Sequence, residues 1–182
     1  MNMIVYGSNY GNSKKYAEEL ARKINWEVKS YTEVKNINDY EDIIYIGSLY
    51  AGGVLGLKKT FAKLNNDDRK IIIVTVGAAD PTAKENTDHI KTCIKNQVAE
   101  FVYEKANIFH LRGGLDYSKL NFMHKSMMGL LYKKVSKIPE DQRTVEVQGL
   151  IETYNKVVDF VDFETLDPII KEVLSYSNLN IF

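Results

Sequence analysis

Residues 3–17 read Met3-Ile4-Val5-Tyr6-Gly7-Ser8-Asn9-Tyr10-Gly11-Asn12-Ser13-Lys14-Lys15-Tyr16-Ala17. The apolar run at 3–6 has the form of a buried strand. From Ser13 onward Tyr16, Leu20 and Ile24, with Ala17 and Ala21 beside them, repeat at helical period. The strand passes to the helix through a short turn of Gly, Ser and Asn. Unpaired amides at a helix start carry partial positive charge, and Ser8, Asn12 and Ser13 add short polar side chains that suit phosphate oxygens. Gly11 permits close backbone approach and a positive φ. The same residues also suit a plain tight turn, with Asn12 or Ser13 capping the helix. A Walker Gly-Lys-Ser/Thr triplet and the three-glycine dinucleotide fingerprint are both missing.

Similar apolar runs recur at 43–47, 70–77 and 107–111, and a weaker alternating run at 26–31 supplies a second strand. Helical spacing follows at 57–64, at 88–103 through Ile90, Ile94, Val98, Phe101 and Val102, and near the end through Leu166, Ile169, Ile170, Val173 and Leu174. Thr165 or Asp162 is available to cap that last helix. Strands that alternate with helices and read as continuous apolar runs predict an α/β, doubly wound parallel sheet of five strands covered on both faces. Ligands of such sheets bind at the carboxyl ends of the strands, so the loops after the first, third and fourth strands matter most.

Composition limits the alternatives. The chain has 182 residues, 45% hydrophobic, with three prolines and eleven glycines, so no stretch reads as a linker and a single domain over 1–182 is expected. Lys and Arg number 24 against 24 Asp and Glu, which removes the basic footprint of a nucleic-acid binder. The lone Cys93 and the lack of a signal-peptide pattern point to a reducing cytoplasm. No apolar run approaches the roughly 20 residues that cross a bilayer. Cys93 lies beside the Ile90 and Ile94 stripe and reads as a buried, inert thiol. His89, His110 and His124 lack metal-ligand spacing and read as solvated or core residues, so no metal site is expected.

The segment Ser8-Asn9-Tyr10-Gly11-Asn12-Ser13 resembles the phosphate loop of flavodoxins, with Tyr10 where many of them have threonine. The resemblance implies flavin mononucleotide (FMN) as cofactor. After the third strand, Ser48, Leu49, Tyr50, Ala51 and Gly52 offer an aromatic face and main-chain groups for a flat ring. The resemblance further implies that a carbonyl near Gly52 accepts a hydrogen bond from the reduced flavin. After the fourth strand, Ala78, Ala79 and Asp80 offer a second small-residue wall, or a turn at Pro81 with Thr82 or Thr87 capping the next helix.

The chain continues well past Leu111, where a minimal flavodoxin-like domain would need only one more helix. An insertion over about 113–160, largely helical, is therefore expected after the fifth strand. Within 119–135, Leu120, Met123, Met127, Leu130, Leu131 and Val135 mark an apolar face, and Lys119, Lys125, Lys133, Lys134, Lys137 and His124 supply a basic surround. Such a helix suits an anionic membrane surface, a carboxylated ring-shaped substrate, or simple packing on the domain.

The stretch Ile108-Phe109-His110-Leu111-Arg112-Gly113-Gly114-Leu115-Asp116-Tyr117, continuing through Phe122-Met123-His124-Lys125-Ser126-Met127-Met128, resembles the insertion of menaquinone-dependent protoporphyrinogen oxidases. Asp162-Phe163-Glu164 is similar too. That resemblance implies an FMN-dependent oxidoreductase passing electrons or hydride from a porphyrinogen to a quinone. Contact of the 119–137 helix with the inner face of the membrane would accompany it. The alternative is a flavodoxin-type electron carrier docking to protein redox partners. No side chain is assigned as a catalytic acid or base, and 140–155 receives no role.

Overall fold

The computed structural model describes residues 1–50 and 52–179. In chain order the elements are β1 (Met3–Gly7), α1 (Asn12–Ile24), β2 (Glu27–Ser30), β3 (Ile43–Tyr50), β4 (Gly53–Val54), α2 (Leu57–Phe61), β5 (Ile71–Gly77), α3 (Lys84–Lys95), α4 (Glu100–Lys105), β6 (Ala106–Arg112), β7 (Leu115–Asp116), α5 (Phe122–Val135), α6 (Val145–Thr153), β8 (Val157–Val158) and α7 (Asp167–Leu179). Five strands pair in parallel in the order β2-β1-β3-β5-β6, and the short β4 folds back antiparallel on the end of β3. The reversal between β1 and β3 places the first and third strand loops side by side, the arrangement expected of a doubly wound sheet.

Alternation along the central strands divides the core. Val5, Ile43, Tyr45, Ile71 and Ile73 face Leu57, Phe61, Ile90, Ile94 and Val102 on one side. Ile4, Ile44, Ile46, Ile72 and Val74 face Tyr16, Leu20, Leu166, Ile169 and Val173 on the other. Both faces are therefore covered, as parallel sheets require.

Several local expectations need correction. The first helix is entered through Gly11 at φ 93°, without a side-chain cap, instead of being capped by Asn12 or Ser13. The helix expected over 88–103 is two helices, because α3 closes at Lys95 and Ala99 is extended ahead of α4. Between them Gln97 turns its amide onto β4, accepting from the Val54 N–H at 2.7 Å and donating to the Val54 carbonyl at 3.2 Å. Ala83, rather than Thr82 or Thr87, precedes α3, and α2 is shorter than the 57–64 spacing suggests.

Beyond Arg112 the chain leaves the sheet for β7, α5, α6 and β8, with β7 and β8 paired antiparallel. Tyr132 stacks on Tyr154 at 3.9 Å between ring centroids, and Tyr117 meets Tyr154 edge-on. Burial pushes the Tyr117 hydroxyl up to about 12. One side chain secures both ends of this excursion: the Tyr16 hydroxyl donates to the Arg112 carbonyl at 2.8 Å and accepts from the Asp162 N–H at 2.9 Å. Asp162 then caps a single 3-10 turn, and α7 returns to the α1 side of the sheet. Among the described residues, no helix is long and apolar enough to cross a membrane.

Candidate functional site

The site is built from loops at the carboxyl edge of the sheet. In the loop after β1, the Gly11 N–H donates to Ser8 Oγ at 3.0 Å, and the Asn12 side-chain amide donates to the Gly114 carbonyl at 2.5 Å. Asn12 thereby ties this loop to the start of the insertion. Ser13 Oγ, at the base of α1, is fully buried and has no hydrogen-bond partner. A buried hydroxyl without a partner is costly, and this one sits among first-turn amides that an α-helix leaves unbonded.

The second loop is held by its backbone. Ser48 Oγ donates to the Gly7 carbonyl at 3.3 Å, and the Tyr45 hydroxyl donates to the Leu55 carbonyl. A Cβ on Gly7 would lie 2.1 Å from the Leu55 oxygen, so the loop returning from β4 packs directly on the end of β1. Gly52 at φ 79° leads into β4, and Ala51 lies outside the described residues.

The third loop is fixed by Arg112, whose guanidinium donates to the Ala78 carbonyl at 3.0 Å and stacks on Phe160 at 3.8 Å. The Asp80 carboxylate accepts from the Thr82 N–H and hydroxyl, both at 2.8 Å, and those bonds hold its pKa below the ordinary carboxylate value. Asp80 is thus committed to its own turn.

Between these loops lies a cavity of about 560 Å³, a size typical of sites for small organic ligands. Ser8, Asn9, Tyr10, Asn12, Ser48, Leu49, Tyr50, Gly52 and Ala78 line it. Gly11, Ser13, Ala79 and Asp80 do not form its wall: Gly11 sets the turn, Ser13 is buried, and Asp80 belongs to the adjoining turn. The opposite wall comes from the insertion, through Leu115, Leu120, His124, Met127, Met128, Leu131 and Leu150.

His124 is the residue that the sequence reading missed. Its Nδ1 is hydrogen-bonded to the Tyr10 hydroxyl and its Nε2 lies 2.5 Å from the Tyr50 hydroxyl. A neutral imidazole satisfies both, accepting from one tyrosine and donating to the other. Desolvation, then the neighbouring Tyr50, raises the Tyr10 pKa. Asn121 orients this residue by capping α5 at the His124 N–H, 2.8 Å away. Tyr10, in the place of the threonine common in flavodoxins, was the only local sign that something must reach this loop.

The apolar face expected on the 119–135 helix is divided. Leu120 and Val135 are buried and Met127 and Leu131 border the cavity, but Met123 and Leu130 point outward together with Phe122, which is 88% exposed. Cys93 also departs from expectation, being partly exposed with its Sγ near His89.

The Flavodoxin domain family profile matches residues 3–142. No match to a curated protein was found. Among solved structures, the chain is similar to a flavoprotein in complex with FMN from Lactobacillus acidophilus NCFM, at 15% identity and a TM-score of 0.44, covering 61% of this chain and 91% of that one. It is similar to a flavodoxin from the domain Archaea at 16% identity and 0.40, covering 61% and 82%. It is also similar to Fusobacterium nucleatum flavodoxin bound to flavin mononucleotide, at 14% identity and 0.39, covering 59% and 67%.

Proposed function

The chain belongs to the flavodoxin-domain family, and from that premise we propose that it is an FMN-dependent oxidoreductase acting on a small molecule beneath the roof formed by its insertion. The residues present fit the cofactor. Ser13 Oγ is a buried hydroxyl without a partner at the amino end of α1, the space beside the Gly11 Cα is open, and Ser8 retains a hydroxyl proton to donate. Ser8, Asn9, Tyr10, Gly11, Asn12 and Ser13 hold the phosphate. Ser48, Leu49, Tyr50, Ala51 and Gly52 take one side of the ring system, and Ala78 takes its edge, with Ala79 and Asp80 shaping the turn behind it. When bound, the flavin supplies one- and two-electron redox chemistry. The chain's contribution is to orient it, exclude water and tie the loops together through His124.

The observation that carries an enzyme over a carrier is the roof. A carrier presents its flavin edge to a partner protein, whereas here Met127, Met128, Leu131 and Leu150 close over the site and leave an apolar space suited to a flat, weakly polar reactant. On this reading a porphyrinogen donates and a quinone accepts, as in the protoporphyrinogen oxidase branch. The whole of 1–182 acts as one domain with an insertion over about 113–160. Outward-facing Phe122, Met123 and Leu130, next to Lys125, Lys133, Lys134 and Lys137, suit peripheral contact with an anionic bilayer, so we propose a cytoplasmic protein able to touch the inner face of the membrane. The second reading is a flavodoxin-type carrier. The same lysines favour it, since an acidic redox protein would be drawn to them.

The deciding experiment titrates the protein with FMN, reduces the complex anaerobically, and mixes it separately with a soluble menaquinone analogue and an acidic electron-transfer protein. Rapid oxidation by the quinone, and reduction of the complex by protoporphyrinogen, support the enzyme. Oxidation by the redox protein alone supports the carrier, and failure to bind FMN overturns both.

A further inference from the structure

We propose that Tyr10, His124 and Tyr50 form a proton relay that carries a proton from solvent to a quinone reduced beneath the roof, a step that rests on the enzyme reading above. The three side chains make one unbroken chain: the Tyr10 hydroxyl is hydrogen-bonded to His124 Nδ1, and His124 Nε2 lies 2.5 Å from the Tyr50 hydroxyl. The outer end is open, since Tyr10 is 38% exposed, while the inner end, Tyr50, is partly buried and borders the cavity. Tyr10 meets the imidazole edge-on at 5.9 Å between ring centroids, and Tyr50 lies tilted against it at 5.1 Å. The ring is thereby held between two phenols, and the Asn121 cap fixes where α5 presents it.

The reaction needs such a path. A quinone becomes a quinol by taking up two electrons and two protons, of which anionic reduced FMN supplies both electrons and one proton. The second proton has to reach the quinone under an apolar roof that keeps bulk water away. Among the lining residues only Tyr10, Tyr50, His124 and Glu146 can titrate, and Glu146 is well exposed beside His89. An imidazole passes a proton because it accepts on one nitrogen as it releases from the other. The Tyr50 hydroxyl gives its proton to the quinone oxygen and takes one from His124 Nε2. The Tyr10 hydroxyl gives its proton to Nδ1, and water restores Tyr10. Each group ends with the number of protons it began with. The ring is left as its other tautomer, which exchange with water resets once the quinol has gone.

The test uses the FMN-loaded full chain, reduced anaerobically, and two oxidants: a soluble menaquinone analogue, which needs protons, and hexacyanoferrate(III), which takes an electron alone. Tyr50→Phe and His124→Gln should each slow oxidation by the quinone about tenfold or more, and leave oxidation by hexacyanoferrate(III) unchanged. Gln keeps a hydrogen-bonding side chain between the loops but passes no proton. Tyr50→Phe keeps the imidazole and its bond to Tyr10, so either variant decides the matter if the other fails to fold. A second readout needs no cofactor. Nitrogen–proton NMR of the histidine-labelled chain should find His124 protonated at Nε2 and bare at Nδ1, the tautomer from which the inward path starts. The opposite tautomer, either folded variant oxidised by the quinone at the wild-type rate, or equal slowing with both oxidants overturns the relay and leaves the enzyme reading in place. Failure of the quinone to oxidise the wild-type complex overturns both.

Discussion

His124 Nε2 lies 2.5 Å from the Tyr50 hydroxyl, while its other ring nitrogen holds Tyr10. One side chain of the insertion thus joins the two loops that flank the cavity and forms part of its wall. A strap in that position slows both entry and exit. His124→Ala should therefore raise the association and dissociation rates of FMN together. Each lost hydrogen bond is worth about 1 kcal/mol, so the dissociation rate should increase about five- to thirty-fold. Stopped-flow flavin fluorescence measures both rates, and unchanged values would remove the strap.

Ser13→Ala should have opposite effects on stability and on binding. The hydroxyl is buried without a partner, so its removal should leave urea stability of the cofactor-free protein unchanged, or raise it by up to about 1–3 kcal/mol. The same change should weaken FMN by about fivefold, through loss of one donor to the phosphate. A variant that is destabilised yet binds normally would mean that the hydroxyl serves the fold instead.

Tyr16→Phe removes one oxygen and two hydrogen bonds, to the Arg112 carbonyl and from the Asp162 N–H. A loss of about 2 kcal/mol in urea unfolding is expected. Hydrogen exchange should quicken at Asp162 and through 113–161 more than in the sheet.

The turn at Asp80 should depend on pH. Its carboxyl titrates below the unfolded value because the Thr82 amide and hydroxyl favour the charged form. A depressed folded pKa gives stability that is present above the unfolded pKa and lost as pH falls through the folded one. Amides around Thr82 should lose protection on acidification in the wild type. Asp80→Asn should flatten that response, and an equal response in both would contradict it.

Much of the fold is legible from local pattern. The runs at 3–6, 43–47 and 71–76 are almost wholly buried, so their composition alone marks them as strands, whereas 107–111 forms the half-buried edge strand. The turn through Gly11 follows from Gly, Ser and Asn between a strand and a helical stripe. What stayed hidden depends on partners distant in sequence. Gln97 breaks the expected 88–103 helix because Val54 is there to be bonded. His124 reads as an ordinary histidine until folding brings Tyr10 and Tyr50 to its two nitrogens. The apolar stripe of α5 reads as one face, yet it borders two environments, a cavity on the side of Met127 and Leu131 and open surface on the side of Met123 and Leu130. Periodicity gives the direction of a side chain, not what stands opposite it.

The two ends of the excursion beyond Arg112 meet at the Tyr16 phenol oxygen, with the Asn12 amide on Gly114 and the Arg112 guanidinium on Phe160 beside it. A loop whose two ends meet at one point can grow, shrink or be exchanged without altering the register of any strand beneath it. The same underlying scaffold can therefore acquire a different roof by changes confined to that appendage.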